Sequence, residues 1–182
     1  MKSFSQSNSN SIFSLPIAMP LPPNNANKVE REYTRITNLW NRIDITNQVP
    51  IKFSFDSKVT IGLSNEMILY VNVIDFTINI QDDEAILGYM AHEYAHYLNR
   101  DYSKNYNLLT NLEKRTMEHY ADMKAIEILN TRGYSYKCLV KAFMSWNTKR
   151  DILLYVDIDK EIYSHLSLYR RLKNVLTVVG DL

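Results

Sequence analysis

One cysteine, Cys138, stands in the whole chain, so no internal disulfide can form and no pair of thiols exists to build a zinc knuckle or a redox couple. Nowhere do about eighteen apolar residues run together, which excludes a transmembrane helix. Charge of one sign is not in excess either. Lys and Arg number 21 against 20 Asp and Glu, a net charge of +1. That balance supplies no basic field to hold a phosphate backbone, so nucleic acid is not an expected partner. No internal repeat is present. Within 182 residues, 46% are apolar and 23% charged, the composition of one ordinary globular domain and too short for two. The expectation is a soluble, disulfide-free, single-domain protein.

Proline is almost confined to the start. Pro16, Pro20, Pro22 and Pro23 follow a Ser/Asn-rich opening, SFSQSNSNS, and only Pro50 lies beyond them. Residues 1–26 are therefore expected to be a loose or extended leader, with the domain proper over 27–182. Polar residues fill the place where a secretory signal needs apolar ones, and Pro16 interrupts the apolar stretch SIFSLPIAMP. A cytoplasmic location is expected in preference to secretion.

From Asn27 the pattern becomes periodic. Val29, Tyr33, Ile36, Trp40 and Ile43 recur at helical spacing and predict an amphipathic helix. After Pro50, residues 51–80 carry β-branched runs (IKFSF, VTIGL, MILYVNV) separated by short polar breaks, which predicts a small antiparallel sheet. Asp82, Asp83 and Glu84 place acid at the start of a helix running to about Leu98. The polar stretch NRDYSKNYN is expected to be a loop. Thr110 and Glu113 have capping-box spacing and open another helix that Gly133 stops. Ser135 can cap a further helix through Trp146, and a last one follows Ser164 or Ser167. The fold class is α+β, mostly helical, with the sheet beside the helix of residues 83–98.

That helix contains HEYAH at residues 92–96, an H-E-x-x-H match. With four histidines in the chain, a chance match has odds of roughly one in a few hundred. Side chains four apart lie one turn above each other, so His92 and His96 can each give a ring nitrogen to one Zn²⁺. Glu93, beside the first ligand, can reach a water on the metal rather than the metal itself. The rest of the helix (Ile86, Leu87, Tyr89, Met90, Ala91, Tyr94, Tyr97, Leu98) is nearly all apolar, and an apolar helix is buried, where polar groups must be paired or bind metal. The several nearby tyrosines are expected chiefly to fill the core.

A zinc hydrolase needs a third protein ligand and an open position. Asn99 and Tyr102 stand where a metzincin would carry Gly and His, which removes that class. A glutamate from a second helix is the alternative, and residues 118–122 read EHYAD. Glu118 can ligate while Asp122, four residues on, orients a ligand histidine from behind. His119 and Glu113 are rival ligands, although His119 points about 100° away from Glu118 on the same helix.

The stretch DDEAILGYMAHEYAHYLNRD resembles the active-site helix of the HtpX and CAAX-prenyl-endopeptidase type of gluzincin metallopeptidase. EHYADMKAIEIL resembles that family's E-x-x-A-D helix, TRGYSYKCLVKAF its next turn and helix, and SHLSLYRRL its C-terminal His/Arg stretch, with Leu166 in place of a proline. Together the resemblance covers roughly residues 50–175. It implies a zincin-like core, zinc as cofactor held by His92, His96 and Glu118, Glu93 as general base, and Asp122 behind a ligand. It further implies that His165 steadies the tetrahedral intermediate and that Arg171 helps to position the site. The implied activity is hydrolysis of peptide bonds in a protein or peptide by a zinc-bound water. An extended substrate would pair with an edge strand, for which Leu69, Tyr70 and Val71 are the expected residues. The rival readings are a regulatory metallopeptidase of the ImmA/IrrE type, and a latent zymogen or zinc-stabilised binding module in which residues 12–23 could occupy the cleft.

Overall fold

A computed structural model describes residues 23–54, 60–146 and 167–181 of the chain. The first helix, α1, spans Pro23–Ile43. It begins four residues ahead of the expected boundary, with a proline at its first position, where the missing N–H costs nothing. The rest of the predicted leader lies outside the described residues, as does His165. Ile36, Leu39, Trp40 and Ile43 form its buried stripe. The Trp40 indole N–H donates to Val49 O at 2.9 Å and fixes the chain's exit from the helix.

Three short strands follow: β1 at Ile51–Ser54, β2 at Ile61–Leu63 and β3 at Leu69–Asn72. Their order is β1-β3-β2. The sheet is mixed rather than antiparallel, because β1 pairs with β3 in parallel and β2 pairs with it antiparallel. This corrects a second expectation. Leu69, Tyr70 and Val71 are the first three residues of the central strand, with partners on both sides. Their backbone groups are committed to the ladder, so they cannot receive a substrate strand. β2 lies on one side of the sheet, and no described strand pairs with its outer edge.

The β-branched pattern beyond Asn72 does not continue the sheet. Residues Asp75–Asn79 form a π-helical turn. Asn72 Oδ1 accepts from the Ile74 and Asp75 N–H groups at 3.0 and 3.3 Å. The buried Asp75 carboxylate accepts from Thr60 Oγ1 at 2.9 Å and Asn79 Nδ2 at 3.0 Å. These local bonds satisfy backbone groups that a strand would have paired, and they turn the chain towards the next helix.

α2 (Asp83–Leu98) starts on Asp82, whose side chain accepts from Glu84 N. It is the core helix, with ten of its sixteen residues buried. α1, β2, α3 (Asn111–Thr131) and α4 (Lys137–Trp146) all pack against it. Gly88 makes the α4 packing possible: a Cβ there would lie 2.1 Å from the Cys138 carbonyl oxygen. α3 opens with the expected capping box of Thr110 and Glu113, worth about 1 kcal/mol. It ends at Gly133, in the left-handed region at φ 78°. The Gly133 and Tyr134 N–H groups return to Asn130 O and Leu129 O at 3.0 and 2.8 Å, the Schellman arrangement. α5 (Leu168–Val179) is capped by Ser167 and stopped by Gly180. Among the described residues, no helix is long and apolar enough to cross a membrane.

Candidate metal centre

α2 and α3 pack so that His92, His96 and Glu118 each turn a donor atom towards the others, all within 4.8 Å. His92 Nε2 and His96 Nε2 are 3.2 Å apart. Glu118 Oε2 is 3.3 Å from His92 Nε2, and Glu118 Oε1 is 3.6 Å from His96 Nε2. A tetrahedral Zn²⁺ bound at about 2.0–2.1 Å places its donors about 3.3 Å apart. The histidine pair, and the Glu118 oxygen nearest each ring, come close to that figure, and two imidazoles with one carboxylate are a donor set that suits zinc chemically. His92 and Glu118 are buried, whereas His96 and Glu93 are half-buried. The rivals have other duties: Glu113 closes the capping box, and His119 Nδ1 lies 3.4 Å from Asn174 Nδ2.

Both histidines are oriented from behind. His92 Nδ1 lies 2.9 Å from Asp122 Oδ1. His96 Nδ1 lies at the same distance from Asp101 Oδ2. An ionised carboxylate can only accept, so Nδ1 carries the proton in each ring and Nε2 faces the centre. Asp122 was legible as the fourth residue after Glu118. Asp101, in the stretch expected to be a loop, was missed, and it is buried. Its sequence signal is a spacing of five residues from His96, which becomes a contact only because Arg100 takes the left-handed conformation, at φ 57°, and folds the chain back.

Arg171 reaches the centre from α5. Its Nε and Nη2 donate to the two Asp122 oxygens at 2.8 and 2.6 Å, a bidentate pair, and its guanidinium lies over the Phe143 ring, 4.5 Å from the centroid. Nη2 is also 3.7 Å from Glu118 Oε2. Glu93 Oε2 accepts the Leu63 N–H at 3.0 Å, which ties the carboxylate to β2. A groove of about 690 Å³ is lined by Asp101 and Lys104 together with residues of α3, but none of the three donors lines it.

The charges behave as this geometry requires. Burial opposes ionisation of Asp122, yet Arg171 and the His92 hydrogen bond outweigh it and hold the carboxyl below its usual range. Burial likewise opposes ionisation of Asp101, and hydrogen bonds from His96 and Lys104 outweigh it. In the metal-free protein, burial pulls the His92 imidazole down, but the carboxylates of Asp122 and Glu118 prevail and push it up to about 10. A raised pKa means that the His92 cation stabilises the metal-free fold fully below its unfolded pKa of about 6.5. That contribution is lost as pH rises through about 10. A metal ion bound there must displace this proton, so its uptake at pH 7 is expected to release about one proton from the centre and to tighten as pH rises. Calorimetric titration in two buffers of different ionisation heat reads that number, and no buffer dependence would contradict it.

Compared with protein-family models, with curated proteins and with solved structures, the chain matches none.

Proposed function

We propose that the chain is a zinc-dependent metalloendopeptidase of the gluzincin type, with a zincin-like core and a protein or peptide as substrate. One observation carries this reading. Two histidines and a glutamate sit close to the donor separations of a tetrahedral ion, and Glu93, half-buried, directly follows His92 on α2. Among the described residues three protein donors meet, which leaves a position for water, whereas a purely structural zinc site closes its shell with four.

Bound there, zinc would lower the pKa of a water and polarise the scissile carbonyl. The remaining work falls to this chain's own side chains. Glu93 takes the proton from the attacking water on a carboxylate oxygen and returns it to the nitrogen of the leaving amine. Asp122 and Asp101 hold the protons on the Nδ1 atoms of His92 and His96, leaving each Nε2 a donor. Arg171 locks Asp122 in place through two hydrogen bonds. His165 keeps the role its resemblance implies, steadying the oxyanion.

Where would an extended substrate lie? The outer edge of β2 suits it. Thr60 O and Ser64 N bond to Asn72 N and Ile68 O of the neighbouring strand segment, so by alternation Ile61 and Leu63 turn their backbone groups outward. The outward Leu63 N–H is held by Glu93, so a peptide paired along this edge would take that N–H over from the carboxylate and pass beside the general base.

The test is cleavage of an unstructured polypeptide such as casein by the zinc-loaded full chain. Turnover that a strong chelator abolishes and added zinc restores is the expected result. Zinc bound at the centre without turnover on casein or on a mixed quenched-peptide library would overturn the peptidase reading and leave a binding module.

A further inference from the structure

The two ligand histidines stand in matched surroundings: each ring is backed by a buried carboxylate, and each carboxylate is held by a cation. For His92 the chain is Asp122 and then Arg171. For His96 it is Asp101 and then Lys104, whose Nζ lies 2.5 Å from Asp101 Oδ1 while Oδ2 faces the ring. From this match, and resting on the zinc-centre reading above, we infer that Asp101 and Lys104 are positioning residues that set the strength of the metal centre.

The physical reasoning starts from the ring. His96 is half-buried, and without a fixed acceptor its imidazole could rotate or carry its proton on Nε2, where it would block the metal. Asp101 removes both freedoms. Its side chain is only 5% exposed, so little water is available to replace it as acceptor. Its charge, held behind the ring, also favours a cation bound at Nε2.

Holding Asp101 in place is harder than holding Asp122, which sits mid-helix on α3. Asp101 opens a single 3-10 turn, Asp101–Ser103, directly after the left-handed Arg100. Two further bonds brace this turn: Lys104 N–H donates to Asp101 O at 3.0 Å, and Ser103 Oγ donates to Arg100 O at 2.7 Å. Lys104 therefore grips Asp101 by backbone and by side chain, closing the turn whose carboxylate faces His96. The Lys104 side chain is 44% exposed, so it can be exchanged with little disturbance to the core.

The experiment measures the zinc dissociation constant of the full-length protein by competition with a chromophoric chelator, for wild type, Asp101→Ala, Lys104→Gln and Lys104→Arg. Helical content and the melting point of each metal-free protein are measured alongside. Asp101→Ala is expected to weaken zinc binding by about 10- to 100-fold. Lys104→Gln should weaken it by a smaller factor, with Lys104→Arg returning towards wild type because the cation is restored. A merely structural role would move the melting point and not follow the restored charge. If Asp101→Ala unfolds the chain, the two Lys104 variants still decide. Equal zinc affinity across the folded variants overturns the assignment while the zinc centre stands. A wild-type protein that takes up no zinc overturns the centre itself, and the assignment with it.

Discussion

Replacing Glu93 with Gln is expected to lower peptide hydrolysis by about 10²–10⁴-fold, with one zinc still bound per chain. The exchange preserves size and shape, and the amide oxygen can still accept the Leu63 N–H that the carboxylate accepts in the wild type. What disappears is the capacity to take a proton. Glu93 donates no atom to the three-donor cluster, so metal content should not change. Steady-state cleavage beside elemental analysis separates the two effects. Turnover within about tenfold of wild type would remove Glu93 from the role of general base.

The second large effect is structural. Arg171→Met is expected to cost about 3 kcal/mol or more of stability in the metal-free protein, because it strips the buried Asp122 of its bidentate partner. Methionine approximates the length of the side chain and can rest on the Phe143 ring that the guanidinium covers, so the loss is mainly of charge compensation. Arg171→Lys should recover only part of it, since an ammonium cannot grip both carboxylate oxygens in the same geometry. Denaturant titration measures the change. A loss below about 1 kcal/mol would show that His92 alone satisfies Asp122.

What local chemistry determines was legible in the sequence. The α2 start on Asp82, the Thr110–Glu113 box and the Gly133 stop involve residues within a few positions of each other, and each emerges where the residues predict it. The cluster of His92, His96 and Glu118 was legible for a related reason: helical spacing fixes the histidines, and the second helix offers a short choice of acids. Strand order was not. Strands of three and four residues carry too little pattern to show that β3 lies between β1 and β2, and the edge assignment of Leu69–Val71 failed there. Beyond Asn72, β-branched residues imitated a strand, while side-chain bonds from Asn72 and Asp75 turned the backbone into a π-helical turn. Asp101 was hidden by a different cause. Its approach to His96 depends on a left-handed Arg100, a conformation that arginine rarely takes and that sequence does not announce.

The central claim is that α2 and α3 together hold one metal ion. The most direct measurement is zinc content by elemental analysis, after loading the wild type, His96→Ala and Glu118→Ala with zinc and removing the excess by gel filtration. The account predicts one zinc per chain in the wild type, and a large loss in both variants while the helical content of each is retained. A wild-type protein that emerges without zinc, or variants that keep it in full, would contradict the account.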